Sequence, residues 1–481
     1  MFDISKFELT DEEIKEAASR NCLLSMEIEF NKNCNYRCPY CYVAADQKGP
    51  DCILDSELAD SVIRQAAQLG ARKIVIIGGE PLLFEQLEEK IKLITELGMG
   101  AEIFSNGSLI NKDNAAMFFK YGCRVVVKLN SLDPAVQDKL TGTKNALTAA
   151  KNAIAVLKEA GYDNPDMLAA STVISSENID GIVALWRYLR ENSITPYFEM
   201  ITPQGRFLEN NYLEVDPAEI KNIFEQFAEI DRSYGYEWKP QPPLAGDKCL
   251  RNTYSCLVNY KGDVFPCVGI TKKIGNIADL PLRVILETSH VIQDLKNFRN
   301  MIKGPCRSCD QLDSCYGCRG AAYQLTGDYL ASDPLCWRNA DKLDQIISLP
   351  VNAENYLPHK APMTMVEQII DVGPISSVGM KIRDDNRFLD TTGKLDRAVI
   401  PELVAQAGSA VDTFRFNGRI RPGFLAFGHN VKIHHDLMMN DQLVIAFAEE
   451  TSLENWHTLN FTITNQHNSI CATGEVTVCV F

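Results

Sequence analysis

The stretch Ser25-Met-Glu-Ile-Glu-Phe-Asn-Lys-Asn-Cys34-Asn-Tyr-Arg-Cys38-Pro-Tyr-Cys41 decides how the chain is read. A short apolar run, the mark of a strand, delivers three cysteines spaced C-x-x-x-C-x-x-C onto one loop. Thiolates suit iron-sulfur clusters, and three of them leave one iron of a four-iron cluster open to a ligand. The alternatives are a zinc site or a structural thiol trio, although a zinc knuckle needs a fourth ligand close by. Next comes Lys73-Ile-Val-Ile-Ile77, a continuous apolar run of the buried parallel type. Gly78-Gly79-Glu80-Pro81 follows it, and paired glycines let backbone approach a ligand closely. Further strand-like runs lie at 101–104, 124–129, 167–174 and 195–201, separated by helix-compatible segments such as 145–160. Strand followed by helix, six times over, predicts a parallel sheet with crossover helices. Ligands in such sheets sit at the carboxyl ends of the strands.

The cysteine loop and the Gly-Gly-Glu-Pro turn together resemble the radical S-adenosylmethionine (SAM) superfamily. That resemblance implies an α/β fold built on a partial (β/α)6 barrel, with SAM chelated by the open iron and cleaved on reduction to methionine and a 5′-deoxyadenosyl radical. It implies roles by position: Cys34, Cys38 and Cys41 hold the cluster, Tyr40 presses on the adenine, and the backbone of Gly78, Gly79 and Glu80 holds the SAM amino group. Ser105 and Asn106 end the third strand, while Asn130 and Ser131 are assigned to the ribose hydroxyls and the SAM carboxylate. Many relatives grip that carboxylate with an Arg, whereas 138–142 here reads Asp-Lys-Leu-Thr-Gly, leaving Lys128 or Lys139 for the contact. An electron donor such as flavodoxin or ferredoxin is implied as partner.

Sixteen cysteines are many for a chain with no secretory signal unless metal uses them. Eight fall in one region: Cys249, Cys256, Cys267, Cys306, Cys309, Cys315, Cys318 and Cys336. With the turn Gly262-Asp-Val-Phe-Pro-Cys267, the region resembles the SPASM extension of radical SAM enzymes. By that resemblance Cys249, Cys256, Cys267 and Cys318 hold one auxiliary 4Fe-4S cluster and Cys306, Cys309, Cys315 and Cys336 a second, making three clusters with the SAM-binding one. Zinc is the rival, but C-x-x-C pairs in zinc modules usually stand about 15–20 residues apart, against five between Cys309 and Cys315. Cys22, Cys52, Cys123, Cys471 and Cys479 stand alone and read as core residues.

No histidine precedes His290, so an acid or base in the barrel must be another group. Sulfatase-maturing relatives place an Asp after the third auxiliary cysteine, where this chain has Val268. Glu199, ending the sixth strand, and Arg206 are positioned to meet a substrate; a solvated or salt-bridged surface charge is the alternative for each.

Beyond residue 345 the cysteine framework stops and Pro350 and Pro358 interrupt helix, so the chain is divided as 1–235, 236–345 and 346–481. Runs at 365–372, 441–449, 456–464 and 469–481 read as strands. Between them Ile400, Leu403, Val404, Ala407, Val411 and Phe414 recur at helical spacing. An antiparallel sheet around one apolar helix is the α+β hotdog arrangement. Leu357-Pro-His359-Lys-Ala-Pro-Met363, Glu402-Leu-Val-Ala-Gln406, Arg421-Pro-Gly423 and Asn440-Asp-Gln-Leu443 resemble the β-hydroxyacyl-acyl-carrier-protein dehydratases, especially the aryl-polyene branch. Such dehydration pairs a carboxylic acid with a histidine base. Glu402 matches the family carboxylate; the usual His-Phe-Pro is missing, and His359 is the nearest substitute. His429, His434 and His435 read as surface strand residues.

A net charge of −15 argues against nucleic acid, and no apolar run reaches the length that spans a bilayer, so a cytoplasmic chain without membrane contact is expected. Three functions follow from these resemblances. One is hydrogen abstraction from a peptide or protein, leading to modification or crosslinking. Another is tailoring of a carrier-bound acyl, polyketide or amino-acid-derived intermediate. In the third the hotdog domain is a noncatalytic binding or dimerising module, and hotdog pairing predicts a homodimer.

Overall fold

The computed structural model describes residues 2–45, 49–415, 423–453 and 455–480. Two compact units divide the chain, Met1–Asn339 and Ala340–Phe481. In the first, β1 (Ser25–Glu29), β2 (Lys73–Ile77), β3 (Gly100–Ser105), β4 (Arg124–Lys128), β5 (Leu168–Ile174) and β6 (Thr195–Met200) lie side by side in chain order. Every pair among these six is parallel. Four shorter strands extend the sheet: β7 (Leu244–Ala245) runs antiparallel to β6, β8 (Leu257–Val258) pairs parallel with β1, and β9 (Asp263–Phe265) and β10 (Gly275–Asn276) continue beyond β8. The sheet is therefore an open, partial barrel whose first edge is lengthened by the cysteine-rich region.

Local chemistry sets the crossovers. Helix Ser56–Gln68 starts where the Asp55 carboxylate accepts the Leu58 N–H, and it buries Ala59, Val62, Ile63 and Ala66 on one face. Helix Pro134–Thr141 has Asp133 as cap and Pro134 in its first turn, and stops at Gly142 with φ +63°. One core runs between sheet and helices, with Ile28, Ile74, Ile76, Ile103, Val125 and Val127 fully buried. On its far side Trp186 stacks on Phe227 at 4.2 Å. Buried Asp231 there accepts from Trp186 Nε1 (2.8 Å), Trp238 Nε1 (2.9 Å) and Arg190 Nη2 (2.7 Å).

The second unit holds one sheet in the order β11 (Val351–Asn352), β12 (Gln368–Asp371), β13 (Ser376–Lys381), β15 (Gln442–Leu453), β16 (Trp456–Asn465), β17 (Ile470–Val480), with β14 (Gly423–Ile433) last. All its pairings are antiparallel. The sheet wraps helix Ile400–Arg415, which buries Leu403, Val404, Ala407, Ala410, Val411 and Phe414, the hotdog arrangement. Strands β11 and β13 were not anticipated, β14 was anticipated only through His429, and β12 is shorter than its sequence run. His429 lies exposed on β14, and exposed His434 and His435 come just after it. Arg421 and Pro422 of the dehydratase-like motif fall outside the described residues. No helix among the described residues is long and apolar enough to cross a membrane.

Candidate functional site

The loop after β1 carries Cys34, Cys38 and Cys41, all partly buried, and other segments press on it where only glycine fits. A Cβ on Gly79 would stand 2.0 Å from the Asn33 carbonyl oxygen, and one on Gly78, at φ +115°, 2.6 Å from that of Asn31. Gly142 and Gly205 meet the carbonyl oxygens of Arg37 and Cys41 in the same way, at 2.4 and 2.3 Å. Those approaches let the Gly79 N–H donate to Asn31 O (2.9 Å) and the Glu80 N–H to Asn33 O (2.7 Å). Arg206 belongs to this clamp as well: its Nε donates to Cys38 O at 2.9 Å and its N–H to Cys41 O at 3.1 Å, so it holds the cysteine loop. Burial pushes the Cys34 thiol up to about 11 and the Cys38 thiol up to about 12, with the neighbouring Cys41 adding to both. Such thiols keep their protons until a metal displaces them.

Glu80, 1% exposed, accepts from Ser105 Oγ (2.8 Å), the Asn106 N–H (2.8 Å) and the Leu82 N–H (3.2 Å). Burial nevertheless raises its pKa to about 7. Asn106 Nδ2 reaches back to Asn35 Oδ1 at 2.7 Å, tying the ends of β2 and β3 to the cysteine loop. At the end of β4, Asn130 Nδ2 donates to the Tyr40 hydroxyl (2.7 Å) while its Oδ1 accepts the Val173 N–H (3.1 Å). Gln137 Oε1 fixes this corner by accepting the N–H groups of Asn130 (2.8 Å) and Ser131 (3.1 Å). Sequence reading missed Gln137, whose only signal is the Asp133-Pro134 helix start. The structure thus gathers Tyr40, Asn130 and Ser131 on one side of the loop and Gly78, Gly79, Glu80, Ser105 and Asn106 on the other.

The inner face of the sheet is charged. Arg251 pairs with Glu27 (2.5 Å) and donates to the Tyr197 hydroxyl (2.8 Å). Glu29 accepts from the Tyr42 hydroxyl at 2.9 Å, and burial lifts it to about 7. Burial also raises Glu199, opposed by the positive charges of Lys128 and Arg251, and lowers Lys128, opposed by Glu199. Lys128 Nζ lies 5.2 Å over the Tyr40 ring. Lys139, by contrast, pairs with Glu177 at 2.7 Å and is 54% exposed, which leaves Lys128 as the cation beside Tyr40.

In the cysteine-rich region the thiols fall into two neighbourhoods. Burial pushes Cys267 up to about 12, with Cys249 adding, and it raises Cys318 with both Cys249 and Cys267 adding. Burial likewise pushes Cys315 up to about 11, with Cys306 adding, and raises Cys336, with Cys306 and Cys315 adding. Cys256 is fully buried in the main core with Glu27 and Lys296 as charged neighbours, and Cys309 Sγ meets Asp310 Oδ1 at 3.6 Å. No group of three His, Cys, Asp or Glu side chains among the described residues is placed to hold a single metal ion. The thiolates of a four-iron cluster each bind a different iron and therefore stand wider apart than the ligands of one ion. Of the five isolated cysteines, Cys52, Cys123, Cys471 and Cys479 are buried and Cys22 is half-buried.

In the second unit His359 Nε2 and Glu402 Oε1 lie 4.0 Å apart, with side chains 39% and 33% exposed. Gln406, one turn along the helix, donates to Glu402 Oε1 (2.9 Å) and to Met363 O (3.0 Å) and accepts the Met365 N–H (2.9 Å). It pins the Leu357–Met363 motif against the helix.

Residues 28–189 match the radical SAM superfamily model, residues 249–311 the iron-sulfur cluster-binding SPASM domain, and residues 351–480 the ApeP dehydratase family. The chain is 26% identical over 336 residues to an AdoMet-dependent heme synthase of Methanosarcina barkeri, covering 64% of this chain and 94% of that one. A heme synthase of the same description from Nitratidesulfovibrio vulgaris is 22% identical over 338 residues, with 64% and 90% covered. Streptococcus suis SuiB bound to S-adenosylmethionine shares the fold at TM-score 0.53 and 17% identity, over 69% of this chain and 85% of SuiB. A histidine-tagged anSMEcpe with bound AdoMet does so at TM-score 0.51 and 17% identity, over 65% and 90%. The chain thus joins radical SAM and iron-sulfur SPASM regions to a C-terminal dehydratase-like hotdog domain.

Proposed function

We propose that the first unit reductively cleaves SAM and abstracts hydrogen from a peptide or protein substrate, modifying or crosslinking it. The observation that carries this is the glycine-clamped loop of Cys34, Cys38 and Cys41 between the Glu80–Ser105–Asn106 network and the Tyr40–Asn130–Ser131 corner. A four-iron cluster held by Cys34, Cys38 and Cys41 would supply the one electron that cleaves SAM to methionine and a 5′-deoxyadenosyl radical, and a substrate hydrogen atom would convert that radical to 5′-deoxyadenosine. The remaining work belongs to the chain: Tyr40 supports the adenine, Gly78, Gly79 and Glu80 receive the amino group, Asn130 and Ser131 the ribose, and Lys128 the carboxylate. Glu199, buried on the charged inner face beside Lys128 and Arg251, is the acid or base for a substrate admitted there. Two auxiliary clusters on the eight downstream cysteines complete a set of three. SuiB has been solved bound to precursor peptide SuiA with this fold, at TM-score 0.50, which supports a peptide substrate; the AdoMet-dependent heme synthase relatives make a heme-forming reaction the competing outcome.

Anaerobic reconstitution should load about twelve irons, and dithionite should then release 5′-deoxyadenosine. Changing Cys34, Cys38 and Cys41 to Ala should remove about four irons and all cleavage. Cleavage that survives the triple change sinks the assignment.

A second activity is favoured by the His359–Glu402 approach at 4.0 Å. In this activity His359 takes the α-proton of a β-hydroxyacyl thioester on a carrier, and Glu402, protonated, gives its proton to the departing hydroxyl, which leaves as water. Glu402→Gln and His359→Ala should each abolish dehydration while 5′-deoxyadenosine formation continues. A wild type inert toward every carrier-bound β-hydroxyacyl chain would make the domain a binding module instead.

A further inference from the structure

Arg319 directly follows Cys318 and is 1% exposed, one of the largest fully buried side chains of the molecule. Its Nη1 donates to the carbonyl oxygens of Tyr329 and Ala331, while Nε and Nη2 are buried with no acceptor among the described residues. The Tyr316 ring lies 5.8 Å from the guanidinium. No carboxylate lies within ion-pair distance of it among the described residues, and Asp333 acts on it only through its field. A buried guanidinium with no carboxylate partner is among the costlier arrangements a protein makes, so its free donors point to an anion.

The surroundings say which anion. The positive charge of Arg319 opposes the burial that raises Cys315, and a Cβ on Gly317 would stand 3.1 Å from Arg319 Nη2, while the Gly317 N–H donates to Cys315 Sγ at 3.3 Å. Asp333, itself 0% exposed, accepts the Cys318 N–H at 2.7 Å, and its negative charge adds to the burial that raises Cys315, Cys318 and Cys336. Arg319 and Asp333 thus sit where the two cysteine neighbourhoods meet, one charge of each sign.

We propose that Arg319 is a positioning residue for the second auxiliary cluster, the one on Cys306, Cys309, Cys315 and Cys336: its free Nε–H and Nη2–H donate to that cluster and its charge raises the cluster's reduction potential. Asp333 opposes it. This rests on the auxiliary-cluster assignment above, and thiolate-ligated clusters are tuned by net charge and by hydrogen bonds to sulfur.

The test uses the full chain with Cys34, Cys38 and Cys41 changed to Ala, so that only auxiliary clusters remain. Iron is counted and each cluster's midpoint is followed by potentiometric titration with electron paramagnetic resonance. If the parent holds no auxiliary iron, the cluster assignment itself has failed. If it holds both clusters, Arg319→Gln is expected to lower one midpoint and leave the other nearly in place, while Asp333→Asn raises that same midpoint. Should Arg319→Gln instead lose about four irons, Arg319→Lys must restore them. Midpoints and iron content unchanged in Arg319→Gln overturn the proposal, and so does equal iron loss from the Gln and Lys variants, since a lysine keeps the charge.

Discussion

Replacing Gly79 with Ala puts the clamp on the cysteine loop under a direct test. The new methyl carbon would start 2.0 Å from Asn33 O, 2.6 Å from Asn33 C and 2.7 Å from Lys32 C, all backbone atoms with no side-chain torsion to turn aside. To reach an ordinary contact the loop must retreat by about 1 Å or more, which stretches the Gly79 N–H to Asn31 O and Glu80 N–H to Asn33 O bonds. Each buried bond lost costs about 1–3 kcal/mol and overpacking adds about 1–3 kcal/mol. Together they cost about 3–9 kcal/mol, spent locally as a displaced loop because the core beneath is untouched. The assay pairs iron content with 5′-deoxyadenosine formation after anaerobic reconstitution. About four irons and nearly all cleavage should disappear while the auxiliary irons stay. Gly181→Ala is the control, since a Cβ there meets open space. Full iron and undiminished cleavage in Gly79→Ala would refute the clamp.

Three further outcomes follow from buried charges and exposed edges. Glu29 and Glu80 both rise from 4.5 to about 7, so each contributes stability that is complete below pH 4.5 and is lost as pH climbs through 7, about 3 kcal/mol apiece; urea melts of the metal-free protein should show Glu29→Gln flattening this fall, and parallel wild-type and mutant pH curves would contradict it. Asp231→Ala strands two indole N–H groups and Arg190, and should cost about 3–5 kcal/mol in denaturant unfolding; a loss under about 1 kcal/mol would show that the knot is dispensable. A chain ended at Asn339 should be monomeric in light scattering and still load iron, whereas the full chain should be a dimer; a monomeric full chain would contradict this.

Much of the first unit could be read from its residues because its strands are buried on both faces and announce themselves as unbroken apolar runs. Lys73–Ile77 is recovered residue for residue, and the other five parallel strands to within a residue or two. Strands β7 to β10 escaped because two or three residues show no periodicity, and their place in the sheet is fixed by partners far away in sequence. Tyr40 and Asn130 were expected at the site, but their direct hydrogen bond depends on a loop and a strand end ninety residues apart. Arg206 was expected to meet a substrate, whereas its donors face the Cys38 and Cys41 carbonyls; a sequence gives a long side chain's reach and not its direction. In the second unit β14 was read only at His429, because its residues are mostly exposed and show no alternation. The His359–Glu402 approach joins two motifs that the sequence leaves forty-three positions apart.

The parallel pairing of β8 with β1 has a consequence for electron flow. Backbone hydrogen bonds fasten Cys256 and the β8–β9 hairpin leading to Cys267 to the very strand that launches the cysteine loop, inside one compact unit. Distances between redox centres mounted on such a sheet are set by covalent geometry and ladder spacing, not by a hinge. With the clusters proposed above in place, electron traffic along the chain would be set by potentials of the kind proposed for Arg319 and Asp333.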